Sequence, residues 1–71
     1  MEKVIIFDEF ITLGQFLKKT DWISTGGLAK IAVKELSIFV NGEKENRRGR
    51  KLRDGDVIQI EEKTYTITHE N

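Results

Sequence analysis

The chain has 71 residues, enough for one domain with a small core. It has no cysteine and a single histidine, His69, so disulfides, thiolate metal sites and a His-rich zinc site are excluded and a Ser-His-Asp triad is implausible. No apolar run approaches the roughly 20 residues of a membrane span, and Met1-Glu2-Lys3 does not open a signal peptide; a reduced, cytoplasmic protein is expected.

Lys3-Val4-Ile5-Ile6-Phe7 is a β-branched and aromatic run that predicts a strand. Its apolar residues fall on both parities, so both faces are expected to be at least partly covered. Thr12 then opens a first helix, with Gln15 three residues on at the spacing of a capping box. Leu13, Phe16 and Leu17 share one face of that helix, and Lys18 and Lys19 sit near its C-terminal end, where positive charge suits the dipole. A second helix is expected to begin near Ser24 or Thr25, with Ser24 as its cap and Leu28, Ile31 and Ala32 facing a sheet. Lys30 and Lys34, four residues apart, then project from a different face. Gly26 and Gly27 are unfavourable in a first turn by up to about 1 kcal/mol each. They either let the two helices approach closely or leave backbone N–H groups open to a phosphate.

Ser37-Ile38-Phe39-Val40 predicts a strand closed by Asn41-Gly42, the dipeptide of a type I′ hairpin turn. Glu43-Lys44-Glu45 is a polar return arm, and residues 46–53 are a basic loop around Gly49 with Leu52 as its one large apolar anchor. Asp54-Gly55 is a turn. Val57–Ile60 and Thr64–Thr68 form a last hairpin, with Tyr65 and Ile67 inward and the threonines outward. The order of elements gives an α+β domain: two packed helices against a small, mostly antiparallel twisted sheet, with an added N-terminal strand. One domain spans residues 1–71.

No catalytic constellation is present. Asp54 and Asp56 flank a turn glycine and read as turn formers with arginine partners, and His69 reads as a solvated tail residue. Gly26-Gly27 lacks the spacing and the Lys-Ser/Thr of a phosphate-binding Walker loop. Trp22 reads as a core or half-buried packing residue, with base stacking as the alternative. Neither a cofactor nor a small-molecule substrate is expected.

The formal net charge of zero hides an asymmetry. Residues 14–53 hold ten bases and four acids, a net +6, and the remaining residues carry −6. Arg47, Arg48, Arg50, Lys51 and Arg53 place five cations within seven residues. Such crowding fits a phosphate-contacting surface, since guanidinium groups meet phosphate in bidentate geometry. The alternative is a solvated loop softened by Glu43, Glu45, Asp54 and Asp56. Lys18, Lys19, Lys30 and Lys34 extend the positive surface if the helices sit beside the loop. Charge alone implies a polyanion, so DNA and an acidic protein partner stand beside RNA as alternatives.

Ser24-Thr25-Gly26-Gly27-Leu28-Ala29, Ala32-Val33, Ile38-Phe39-Val40-Asn41-Gly42 and Gly55-Asp56-Val57-Ile58, in this order and spacing, resemble the RNA-binding domain first named from small-subunit ribosomal protein S-four, also called the alpha-L motif. The resemblance covers about residues 11–60. Thr25-Gly26-Gly27 with Gly42 to Arg53 resembles more narrowly its small stand-alone bacterial YaaA-type branch. It implies structured RNA, often ribosomal or transfer RNA, as the partner, met by the two helices and the adjoining loop; the missing catalytic constellation separately leads to the expectation that the protein is not an enzyme. Binding of ribosomal RNA or a role in ribosome assembly is the expected function. Lys18, Lys19, Thr25, Gly26, Gly27, Lys30, Lys34, Arg47, Arg48, Arg50, Lys51 and Arg53 are the candidate RNA contacts. The sequence departs from the family where Thr12-Leu13-Gly14 replace Arg-Leu-Asp and where Gly26 replaces an arginine, so the 47–53 loop is expected to compensate. Leu36 stands where the family has glycine; a helix end without left-handed backbone is expected there.

Overall fold

The computed structural model describes all 71 residues. Seven strands and two helices follow in the order β1 (Glu2–Ile6), β2 (Ile11–Thr12), α1 (Leu13–Lys19), a 3-10 turn (Gly26–Leu28), α2 (Ala29–Glu35), β3 (Ile38–Val40), β4 (Glu43–Lys44), β5 (Lys51–Leu52), β6 (Val57–Ile60) and β7 (Lys63–His69). A five-stranded sheet has the order β1-β7-β6-β3-β4, and β2 pairs separately with β5. β1 runs parallel to β7, with Val4 opposite Ile67, and every other pairing is antiparallel. The helices pack on this mixed sheet, as the α+β expectation required.

The local signals for α1 and the hairpins are realised. Thr12 Oγ1 accepts from the Gln15 N–H at 3.2 Å, and Gln15 Oε1 accepts from the Thr12 N–H at 2.9 Å, completing the capping box. Leu13, Phe16 and Leu17 are fully buried in one cluster with Ile38, Val40, Ile58, Ile60 and Leu52. Phe16 meets Tyr65 edge to face at 5.2 Å, and half-buried Trp22 donates its indole N–H to the Tyr65 hydroxyl at 2.9 Å. Asn41 and Gly42 both have positive φ, at 52° and 85°, as a type I′ turn demands. Asn41 also ties that turn to its neighbour strand, donating to Asp56 Oδ1 and accepting from the Val57 N–H. Leu36 ends α2 in extended backbone, φ −82° and ψ 148°, so no left-handed strain arises where the family has glycine.

Three expectations are corrected. The two faces of β1 are covered unequally: Val4 and Ile6 are buried, whereas Ile5 is 36% exposed and Phe7, just past the strand, 70% exposed, because the core packs against one face of the sheet. α2 begins at Ala29 rather than near Ser24, and Thr25 precedes the 3-10 turn with no side-chain cap bond. Gly14 of α1 approaches Ala29, and that contact sets the face of α2 that turns inward. Ala29 and Val33 therefore face inward, with Ala32 partly buried, while Leu28 and Ile31 are exposed. His69 closes β7, its N–H donating to Asp54 Oδ1 at 2.7 Å, and is no solvated tail.

The close approach between the helices lies at Gly14, not at the glycine pair. A Cβ on Gly14 would stand 3.2 Å from the Ala29 methyl and 3.5 Å from the Arg48 carbonyl oxygen. At Gly26 it would meet nothing within 4 Å. The glycine that replaces the family's aspartate thus lets α1, α2 and the basic loop meet.

Candidate nucleic-acid interface

The basic loop is organised by one buried acid. Glu45 follows β4 and is 5% exposed, its own N–H donating to the Ile38 carbonyl at 2.9 Å. Its carboxylate accepts from the Asn46 and Arg47 backbone N–H groups, from Arg47 Nε at 2.8 Å and Nη2 at 3.0 Å, and from Arg50 Nη1 at 2.9 Å. The Arg47 hydrogen bonds hold the Glu45 carboxyl down at about 2, against an opposing push from burial and with further help from Arg50. Arg47 is correspondingly raised above the ordinary guanidinium value by its hydrogen bond to Glu45.

This knot docks the loop onto α1. The first N–H groups of a helix have no partner within it. Here the Leu13 N–H donates to the Arg50 carbonyl at 2.8 Å and the Gly14 N–H to the Arg48 carbonyl at 2.9 Å. The Thr12–Lys51 and Ile11–Leu52 pairings continue the attachment, with Leu52 fully buried as the expected anchor. Loop carbonyls thus cap α1, and the cation-rich segment is held beside both helices.

An open groove of about 430 Å³ lies where α1, the 3-10 turn and the loop meet, bordered by Gly14, Lys18, Gly26, Ala29, Arg48 and Gly49. Its only charged residues are Lys18 and Arg48. Neither forms an ion pair; the salt bridges of the molecule are Arg47–Glu45 and Arg50–Glu45. Two unpaired cations with no acid beside them suit a phosphate group.

The candidate residues thus fall into groups. Lys18, Gly26 and Arg48 meet in the groove, with Thr25 and Gly27 beside Gly26 in the chain. Arg47 and Arg50 are engaged by Glu45, although Arg47 remains 71% exposed against 30% for Arg50. Lys51 and Arg53 lie over the Phe10 ring, at 4.9 and 5.4 Å from its centroid. Lys30 and Lys34 are exposed on α2, and Lys19 borders a different pocket, toward β1. Of the four acids expected to soften the loop, only Glu45 pairs with an arginine side chain. The Asp56 carboxylate takes the Arg53 backbone N–H and the Asn41 amide, and that of Asp54 takes the His69 N–H. The charge pattern offers Glu45 only as one of four acids near the arginines; its burial and its selection over the other three are set by the fold.

Residues 4–68 match the S4 domain family. The chain belongs to that family. A protein of Bacillus subtilis (strain 168), described as "Probable ribosome maturation protein RlbA", is 55% identical over 58 residues, which cover 82% of each chain. The family match points to a non-catalytic RNA-binding class, the one the resemblance implied. No helix of this S4-domain protein is long and apolar enough to cross a membrane.

Proposed function

We propose that the protein binds structured ribosomal RNA, on the ribosome or on an assembling particle, without catalysing a reaction. The observation that carries this reading is the acid-free groove in which Lys18 and Arg48 stand unpaired beside the docked loop. Phosphates would be held there, with Lys30, Lys34, Lys51 and Arg53 extending the positive surface on either side. Recognition would rest on RNA shape, because the surface is small and its cations read phosphate rather than base edges. The relative described as a ribosome maturation protein supports the ribosomal setting, and a cytoplasmic site of action follows from it.

Crosslinking in cells followed by sequencing of the bound RNA tests the reading, with ribosomal RNA as the expected product. In solution, about three or four phosphate contacts give a slope of log affinity against log salt of roughly −2 to −3.5. Equal competition by duplex DNA at fixed salt would favour a DNA-binding module. Retention of a partner after nuclease treatment would favour a protein adaptor.

A further inference from the structure

We propose that the pocket on the β1 side of α1 receives one unpaired base of the same RNA, stacked on Phe7. The proposal rests on the RNA-binding reading above and adds a second subsite to it. Phe7 follows β1 and is 70% exposed, whereas Phe16 and Tyr65 are core residues and Phe10, Trp22 and Phe39 are partly covered. It borders a pocket of about 320 Å³ whose other apolar walls are Ile6, Phe10 and Ile11. The pocket and the phosphate groove share Gln15 as a common border, so one nucleic-acid chain can enter both.

The two depressions differ in charge. The groove holds two cations and no acid; the pocket holds one of each, Lys19 and Asp8. A carboxylate at the rim disfavours a second phosphate and offers an acceptor to an exocyclic base amine. Gln15 Oε1 is already taken by the Thr12 N–H, which leaves the amide NH₂ to donate. An aromatic wall with one acceptor and one donor matches a nucleobase, whose faces are apolar and whose edge is polar. Lys51 and Arg53, held over Phe10, stand ready for the flanking phosphate. A peptide partner would have no comparable reason to meet cations on one wall and a phosphate-type groove on the other.

The test uses the full chain and two fluorescent RNA stem-loops. One carries a four-nucleotide single-stranded overhang; the other carries the same overhang with every base removed and every phosphate kept. The protein should bind the intact probe roughly tenfold more tightly than the abasic one. Phe7→Ala should erase that difference while leaving affinity for the abasic probe and the melting temperature unchanged, since the side chain is mostly in solvent. Phe7→Trp should preserve the difference. Equal binding of both probes by the parent, or an equal loss on both in Phe7→Ala, would overturn the base subsite and leave the phosphate groove standing. Failure of the parent to bind either probe at low salt would overturn the RNA reading itself.

Discussion

The knot around Glu45 and the groove beside it draw on one short stretch of chain and use charge in opposite ways. In the knot, Arg47 and Arg50 give their guanidinium groups to a buried carboxylate, and the result is a fixed loop. In the groove, Arg48 and Lys18 have no acidic partner, and the result is an unspent positive field. Neighbours in sequence, Arg47 and Arg48, therefore serve different ends. Arginine density alone does not locate a binding surface; the position of a single acid divides the set into those that build the loop and those that the loop presents.

The largest expected effect comes from removing the acid. Glu45→Ala leaves Arg50 partly buried without its partner and frees two backbone donors. A loss of about 2–3 kcal/mol is expected, discounted from a fully buried pair because Arg47 faces solvent. For a domain of this size that lowers the melting temperature by roughly 10–20 °C. The variant also gains one unit of positive charge. If charge alone governed binding, RNA affinity would rise; if loop position governs it, affinity falls at every salt concentration, and the fall is expected.

The same carboxylate predicts a pH response. Its folded value of about 2 lies below the ordinary 4.5, so its stabilisation is full above about 4.5 and is lost as the pH falls toward 2. The gap in melting temperature between the parent and Glu45→Gln should close across that window. A gap that stays constant from pH 5 to pH 2 would separate the carboxylate's charge from its stabilising role.

The groove should behave in the reverse manner. Lys18→Ala with Arg48→Ala removes two contacts and should flatten the salt slope by roughly 1.4–1.8. Stability should change by no more than about 0.5 kcal/mol for each exposed side chain. Arg47→Ala, by contrast, should lower the melting temperature, by less than Glu45→Ala does, and leave the slope nearly unchanged. Identical slopes for Arg47→Ala and Arg48→Ala would erase the distinction between knot and groove.

The smallest effect is a gain. A side chain at Gly26 would begin in open space at the groove. Gly26→Arg, which restores the family's cation, should steepen the slope by about 0.7–0.9. Affinity at low salt should rise several-fold. An arginine there that leaves binding unchanged would place the phosphates elsewhere on the surface.

The elements whose causes are local can be read directly along the chain. The Thr12–Gln15 capping box, the apolar face of α1, the Asn41-Gly42 turn and the alternation of β7 each depend on residues within a few positions of one another, so their spacing is enough to read them. The extended backbone at Leu36 was legible for a similar reason: shifting the helix end by one residue avoids a strained conformation. The resemblance to the S4 family rested on several such local pieces in order. Tertiary structure alone decided which stripe of α2 turned inward. Leu28-Ile31-Ala32 and Ala29-Val33 are both periodic, and the choice fell to the small Ala29 because Gly14 of α1 packs against it. It also decided that Glu45, in a run of polar residues, would be buried. That outcome depends on the Ile38 carbonyl across the hairpin holding the backbone of Glu45, and on two arginines returning along the loop to satisfy its carboxylate. A buried charge is stable only when all its partners arrive together. No local pattern encodes that arrival, so the division of the arginines between knot and groove appeared only in three dimensions.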